Sequence, residues 1–293
     1  MARFVRHAVR FGGGLLVAAV LYKAARAAFL EFRVAVPRRG PVPRPEEGSL
    51  PASTEDVTFR TRSGNAVHGW WTPGRNGAAI VLAGGSGGDR RGLTTEACIL
   101  SRAGYAVLAY DHPGHGESEG PADWVMEIPH ALGAALDWVS AQPGVDAKRI
   151  GALGFSMGAA TVSMVAARDP RIAAIALVGC YTDADEQTRF EYAAWGPVQW
   201  IPAIAVMRAF GIGRGALRPV DKVSSFAPRP LLLVAGSDDR TVPASMAHEL
   251  YAEAREPKEL FIVEGARHGD FATVAPAEYE RRITRFFDGA LSP

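Results

Sequence analysis

The stretch IGALGFSMGAA (residues 150–160) places Ser156 two positions after Gly154 and two positions before Gly158. The residues RIGALG before the serine predict a buried strand, and MGAATVSMVAAR after it predicts a helix. A sharp strand-to-helix turn strains its central residue, and glycines two positions away leave room for the neighbouring backbone. We therefore predict that the Ser156 hydroxyl lies at the C-terminal edge of a sheet, beside the free N–H groups of a helix that begins at Met157.

The rest of the chain alternates strand-like and helix-like segments. Four runs, AAIVLA, YAVLAY, IAAIALV and PLLLVA, are continuously apolar, as expected for strands covered on both faces. The alternation predicts an α/β protein with a mostly parallel eight-stranded sheet, helices on both faces and an edge hairpin at RSGN. The predicted strands are Asp56–Thr61, Ala66–Thr72, Ala78–Ala83, Tyr105–Tyr110, Arg149–Gly154, Ile172–Val178, Pro230–Ala235 and Glu259–Glu264. The predicted helices are Leu93–Ala103, Trp124–Ala141, Met157–Arg168, Ala244–Arg255 and Pro276–Leu291.

A serine on such a turn needs a base and an acid, which follow it in the chain in the order acid, then histidine. His268, in EGARHGD directly after the apolar strand ELFIVE, is the predicted base, whereas His248 lies within an amphipathic helix and is predicted to be structural. The acid is expected after the preceding strand, where PLLLVAGSDDRTVP offers Asp238 and Asp239. Asp183, after IAAIALV, is a further candidate, but we interpret it as a solvated loop carboxylate.

The glycine-rich loop in IVLAGGSGGDR follows the third strand. Backbone N–H groups there, with the N–H of Met157, are suited to stabilise an oxyanion. Loops of this kind also bind phosphate, but GGSGGDR lacks the Lys-Ser/Thr of a P-loop and does not form G-x-G-x-x-G.

Five stretches resemble the α/β-hydrolase superfamily: VLAGGSGG, GYAVLAYDHPGHGESEG, GFSMG, PRPLLLVAGSDDRTVP and EGARHGD. The resemblance covers about residues 53–291 and is closest to the serine hydrolases shared by small esterases, dienelactone-hydrolase-like enzymes and acyl-peptidases. It implies that Ser156 is the nucleophile and His268 the base. The family pattern G-x-x-D-x-x-V, met by Gly236, Asp239 and Val242, implies that Asp239 is the acid.

The resemblance also implies that the oxyanion is bound by the backbone N–H groups of Ser86 and Met157. Many relatives have His-Gly after the third strand, and here Gly84 stands where that histidine would be. His112 and His115, in DHPGHGES, are three residues apart, a spacing that two ligands of one metal ion can have. No carboxylate or cysteine cluster accompanies them at ligand spacing, so we interpret them as structural.

A segment of about residues 183–222 belongs to no predicted core element. In this family such an insertion forms a small helical cap over the pocket. Its aromatic side chains, among them Phe190, Trp195 and Trp200, suggest that the pocket binds an apolar acyl or alkyl group. The alternative is that they only pack the cap onto the body.

These observations predict a serine hydrolase that cleaves carboxylic esters or related acyl compounds through a Ser-His-Asp triad and an acyl-enzyme. The expected ligand is a small acyl substrate, with no metal or organic cofactor. A serine peptidase of the same fold is the alternative enzyme. A catalytically silent binding module is the alternative outside enzymes.

The N-terminal segment differs from the rest in charge. Residues 1–45 hold nine Lys or Arg and one acid, Glu31, for a balance of +8, so the remaining residues sum to −7 within the net +1. The net charge of +1 gives no reason to expect nucleic acid as a partner. The apolar run Phe11–Tyr22 has 12 residues, whereas a spanning helix needs about 20.

We predict that residues 1–36 form an uncleaved membrane-associated helix. If this helix spans the membrane, the positive-inside rule predicts a catalytic domain in the cytoplasm. A signal peptide cleaved near Ala25-Arg26-Ala27, which would make the protein secreted, is the alternative. Residues 37–52, rich in proline, predict an extended linker before the hydrolase domain at 53–291.

Overall fold

The computed structural model of the protein describes residues 2–37, 39–46, 49–213 and 215–292, with side chains from residue 15 onward. Eight strands form one sheet in the order β1-β2-β4-β3-β5-β6-β7-β8. The β2 strand is antiparallel to β1 and β4, and every other neighbouring pair is parallel, so the predicted edge hairpin is confirmed. The strands, each within one residue of its prediction, are β1 Glu55–Arg60, β2 Ala66–Thr72, β3 Ala79–Ala83, β4 Ala106–Tyr110, β5 Ile150–Phe155, β6 Ile172–Val178, β7 Leu231–Gly236 and β8 Lys258–Val263.

Helices cover both faces of the sheet, as predicted. Alternate strand residues point to opposite faces, so Val81 contributes to the core beneath α3, α4 and α7, while Ile80 and Leu82 pack toward α2 and α9. The helix α3 begins later than predicted. The Asp123 carboxylate accepts hydrogen bonds from the backbone N–H groups of Val125 and Met126, so these residues form a turn before the helix. The helices are α1 Ala2–Ala35, α2 Thr94–Arg102, α3 Glu127–Ser140, α4 Met157–Ala166, α5 Ala184–Glu191, α6 Pro197–Ala209, α7 Ala244–Glu253, α8 Phe271–Val274 and α9 Pro276–Leu291.

The cap contains α5 and α6, and Asp183 connects its two ends. One carboxylate oxygen of Asp183 caps α5 by accepting hydrogen bonds from the N–H groups of Asp185 and Glu186, at 2.7 and 3.1 Å. The other oxygen pairs with Arg218 at 2.6 Å, near the far end of the cap. Asp183 is buried, so its interpretation as a solvated carboxylate is wrong, because it ties the two ends of the insertion together.

The helix α1 runs without interruption to Ala35, and its second half packs against the cap. Ala27 is buried in a cluster with Tyr192 and Ala203, and the Phe32 and Phe210 rings meet edge to face at 5.7 Å between centroids. The proline-rich linker predicts that residues 1–36 are separate from the body, whereas in the structure the second half of this segment packs against the cap. Within the described residues, no helix combines the length and the apolar character needed to cross a membrane.

The segment after α1 runs along the body. Gly40 donates a backbone hydrogen bond to the Gly116 carbonyl at 2.8 Å, and Arg44 pairs with Asp56 at 2.8 Å. These contacts hold the end of α1 in place. The linker prediction also includes Arg38, Glu47 and Gly48, which lie outside the described residues.

Candidate active site

Ser156 lies on the turn between β5 and α4 with φ 53° and ψ −118°. Among the described residues it alone has a positive φ without being glycine. Such a conformation costs about 1–3 kcal/mol and persists only where the surrounding structure holds it. The neighbouring glycines explain how: a methyl group on Gly154 would overlap the Gly158 carbonyl, and one on Gly158 would overlap the carbonyl oxygens of Ala83 and Gly84. The predicted strained turn is present.

Three predicted side chains meet at the C-terminal edge of the sheet. Ser156 follows β5, Asp239 follows β7, and His268 lies in the loop between β8 and α8. The Nε2 atom of His268 lies 3.0 Å from the Ser156 Oγ, and its Nδ1 atom lies 2.6 Å from Oδ2 of Asp239. Because a carboxylate only accepts, Nδ1 carries the proton and Nε2 is left to accept the serine O–H. This arrangement can draw a proton from Ser156.

The two neighbouring carboxylates after β7 have different surroundings. The Asp239 side chain is fully buried, and its Oδ1 accepts hydrogen bonds from the backbone N–H groups of Thr241 and Val242, at 2.8 Å each. Asp238 is exposed to solvent. The structure therefore brings Asp239, and not Asp238, to His268.

The imidazole of His268 lies against Phe155 and Gly179. The Phe155 ring lies 4.8 Å from it between centroids, tilted by 36°. Gly179, at φ 59°, approaches both rings, since an added methyl would lie 3.1 Å from Cε1 of His268 and 3.3 Å from the Phe155 ring. Neither contact was predicted from the sequence, although Gly179 follows β6 at the edge where parallel strands end.

The glycine-rich loop after β3 lies against the serine turn. A methyl group on Gly85 would lie 3.0 Å from the Phe155 ring and 3.5 Å from Cβ of Ser156. Both Ser86 and Met157, the residues expected to supply oxyanion N–H groups, line the cavity beside Ser156. The N–H of Met157 belongs to the first turn of α4, where backbone donors have no partner within the helix.

His112 supports the glycine-rich loop from behind. Its Nε2–H donates a hydrogen bond to the Gly84 carbonyl at 2.9 Å. Burial lowers the pKa of His112 to about 3, with the neighbouring His115 adding to the shift, so the ring is neutral. Within the described residues, no group of three or more His, Cys, Asp or Glu side chains is arranged to hold a metal ion. The contacts of His112 fit the structural interpretation.

A cavity of about 460 Å³ lies over Ser156 and His268. Its walls come from the C-terminal half of α1, the glycine-rich loop and the cap, so α1 contributes directly to the site. Its wall includes both apolar and ionisable side chains. The lining residues are Leu30, Glu31, Arg33, Val34, Gly85, Ser86, Gly87, Trp124, Phe155, Ser156, Met157, Tyr181, Ala184, Gln187, Glu191, Tyr192, Met207, Thr241 and His268.

Two carboxyl groups face this cavity. Burial raises the pKa of Glu31 to about 7, and the charge of Glu191 adds to the shift, against a hydrogen bond from the Tyr192 hydroxyl at 3.4 Å. Partial desolvation at the cavity rim likewise raises the pKa of Glu191, while the hydrogen bond that it accepts from Gln187 and the nearby His268 oppose the shift. The sequence analysis missed both groups as site residues. The one signal for Glu31 was that it is the only acid among residues 1–45.

The three aromatic residues expected in the pocket lie outside the cavity wall. Because α5 turns Gln187 and Glu191 toward the cavity, Phe190 faces outward and is exposed. Trp195 lies beneath the Lys23 ammonium at 5.2 Å, and Trp200 packs against the cluster that joins α1 to the cap. The contacts of Trp195 and Trp200 fit the alternative in which the aromatics pack the cap, whereas the exposed Phe190 fits neither interpretation.

The same fold is found in known proteins. The family model of the alpha/beta hydrolase fold matches residues 80–214. The uncharacterized protein Rv2307c of Mycobacterium tuberculosis is 32% identical over 238 residues, covering 80% of this chain and 78% of that protein. The solved esterase Pf2001 of Pyrococcus furiosus has a TM-score of 0.74 at 22% identity, covering 89% of this chain and 99% of that one. The acetyl xylan esterase from Paenibacillus sp. R4 has a TM-score of 0.65 at 20% identity, covering 93% and 94% of the two chains. At such identities the structural likeness concerns the fold, but with the family model, the Mycobacterium relative and the motifs in agreement, the chain belongs to the α/β-hydrolase superfamily, a superfamily of hydrolases.

Proposed function

We propose that this protein is a serine hydrolase that cleaves carboxylic esters. His268 takes the proton of the Ser156 hydroxyl as Oγ attacks the ester carbonyl. The oxyanion that forms is stabilised by the backbone N–H groups of Ser86 and Met157. His268 then protonates the departing alcohol, and a water molecule, deprotonated by the same imidazole, hydrolyses the acyl-enzyme. Asp239 holds the ring in the required tautomer.

The observation that carries this proposal is the continuous hydrogen-bonded series from Ser156 through His268 to Asp239, with distances of 3.0 and 2.6 Å. A serine held at a positive φ has no structural benefit that would offset its strain. Its position between a base and the start of a helix is the arrangement that acyl transfer needs. Both features favour an enzyme over a silent binding module.

Covalent labelling tests the proposal. A fluorophosphonate probe should modify the wild-type protein at Ser156, and p-nitrophenyl acetate should be hydrolysed, because only an activated serine reacts quickly with either. Ser156→Ala should abolish both reactions, whereas Ser140→Ala, on the outer part of α3, should change neither. Absence of labelling and hydrolysis in the folded wild-type protein would favour the binding module.

The two carboxyl groups in the cavity favour one second candidate, a peptidase that recognises a free amino terminus. A substrate ammonium group could pair with Glu31 and Glu191 within reach of Ser156. Aminoacyl anilides would then be cleaved faster than acetyl-blocked anilides, and Glu191→Gln would remove that preference. Equal rates on free and blocked anilides would exclude this candidate and leave the esterase.

A further inference from the structure

The large apolar side chains that remain exposed are concentrated in the N-terminal segment and the cap, two parts of the protein that pack against each other. Of the 15 such residues in the described part of the chain, 13 belong to the stretch from Leu15 to Val36 or to the cap, and only Met126 and Val274 lie elsewhere. Scattered exposed apolar residues are ordinary, but a concentration of this kind marks an interaction site. We call this surface the α1–cap face. Its members are Leu15, Leu16, Val17, Leu21, Tyr22, Phe29, Leu30, Phe32, Val36, Phe190, Trp195, Ile201 and Phe210.

Direct contacts make this face one continuous surface. The Phe32 ring on α1 contacts the Phe210 ring at the end of α6 at 5.7 Å between centroids. Nearer the start of α1, the Lys23 ammonium lies 5.2 Å from the centre of the Trp195 ring. The side chains of α1 and of the cap therefore meet at two separate points along the helix, one apolar and one between a cation and an aromatic ring.

The charge around the face is positive. From Leu15 onward, where side chains are described, α1 carries Lys23, Arg26 and Arg33, while its one acid, Glu31, is turned into the cavity. Residues 1–45 together have a balance of +8. Apolar residues flanked by basic ones match the surface of an anionic bilayer, where apolar side chains enter the interface and cations bind lipid phosphates. A second copy of the chain would instead bring like charges together.

The opening of the active-site cavity lies at the edge of this face. Four residues both line the cavity and are exposed to solvent, so they mark its rim: Leu30, Arg33, Gly87 and Glu191. Two of them are on α1 and one is on α5, and Leu30 is itself a member of the α1–cap face. A molecule that enters the cavity therefore passes beside this apolar surface.

We infer that the α1–cap face docks on the surface of an anionic bilayer and that the hydrolase takes its acyl ester from that bilayer. The helix would lie in the interface, consistent with the finding that no described helix is suited to cross a membrane. The docking follows from the face alone. The choice of a membrane-resident ester rests in addition on the function proposed above.

Vesicle binding tests the docking. The full-length protein should sediment with vesicles of phosphatidylcholine and phosphatidylglycerol, less with phosphatidylcholine alone, and less as salt concentration rises. Leu16→Glu with Leu21→Glu should lower the bound fraction by about tenfold or more, because each change removes a large apolar side chain from the interface. Both positions are exposed and outside the cavity wall. Val274→Glu, an equivalent exposed position outside the face, should bind as the wild type does.

Hydrolysis separates the two parts of the inference. The double variant should hydrolyse soluble p-nitrophenyl acetate at the wild-type rate, which also shows that it is folded, and should lose activity on a long-chain ester embedded in the anionic vesicles. Failure of the wild-type protein to bind anionic vesicles would overturn the docking, even if the soluble ester is cleaved. A change of oligomeric state in the double variant without vesicle binding would assign the face to a second copy and overturn it as well. Vesicle binding with no hydrolysis of either ester would support the docking and overturn the proposed function.

Discussion

The Oδ2 atom of Asp239 lies 2.6 Å from Nδ1 of His268, while its Oδ1 atom is held by two backbone N–H groups of the turn that follows β7. The turn after β7 therefore holds the carboxylate in position independently of its hydrogen bond to the imidazole. A fixed carboxylate selects one ring tautomer, the one whose Nε2 atom is free to accept the Ser156 proton.

Replacing this carboxylate should separate the two neighbouring aspartates. Asp239→Asn should lower kcat for p-nitrophenyl acetate by a factor on the order of 10³ to 10⁴, because the amide can donate to Nδ1 and favours the wrong tautomer. Asp238→Asn, at the exposed neighbour, should retain nearly all of the activity. Steady-state rates of the two purified variants decide the point, and the opposite order would show that the acid is Asp238.

Much of this site could be predicted because it depends on short motifs. The apolar strands and their order place Ser156 and His268 at one edge of the sheet, and the choice between Asp238 and Asp239 rested on a family pattern. The cavity wall could not be predicted in the same way. Phe190 and Glu191 are adjacent in the chain, and only the rotation of α5 about its axis decides which one faces the cavity.

The same limit applies to α1. Its packing on the cap depends on contacts between residues far apart in sequence, such as Ala27 with Ala203, which no local pattern reveals. The proline-rich stretch after it suggested a separate segment, but the extended chain returns along the body through Gly40.

The glycine two residues after Ser156 should be sensitive to one added methyl group. Gly158→Ala would overlap the backbone carbonyl groups of Ala83, the last residue of β3, and of Gly84, in the loop that also carries Ser86. We expect a loss of at least about 2 kcal/mol in the free energy of unfolding, together with slower fluorophosphonate labelling. Urea unfolding followed by circular dichroism measures the first effect.

Gly133→Ala is the matched control for that change. Gly133 lies inside α3 with no atom near the position of an added Cβ, so alanine should stabilise the protein by about 0.5–1 kcal/mol. Equal effects of the two substitutions would show that the close approach at Gly158 does not constrain the turn.

Glu31 should make stability depend on pH. Its pKa is raised from 4.5 to about 7, so the folded protein holds a proton that the unfolded chain has released between these values. The free energy of unfolding of the wild-type protein therefore falls as the pH rises from 4.5 to 7. The variant Glu31→Gln keeps the shape of the side chain and removes its titration. The free energy of unfolding of this variant, relative to that of the wild type, should therefore rise by up to about 3 kcal/mol across this pH range. Thermal unfolding of both proteins at several pH values measures this difference, and a difference that does not change with pH would contradict the role of Glu31.

Removal of residues 1–36 should change the substrate range of the enzyme. The distances among Ser156, His268 and Asp239 are set by loops of the body, so fluorophosphonate labelling of Ser156 should persist in the truncated protein. Leu30, Glu31, Arg33 and Val34 are lost from the cavity wall, however, and the cap side chains that pack against α1 become exposed. We expect kcat/KM to fall more for p-nitrophenyl octanoate than for the acetate, because only the longer acyl chain reaches the missing wall. Deletion of residues 1–14 alone, which keeps the packed half of α1, is the control and should leave the ratio of the two esters unchanged. If the longer deletion also leaves that ratio unchanged, α1 does not take part in binding the acyl group. Residues 1–36 would then behave as the separate segment that the proline-rich linker predicts.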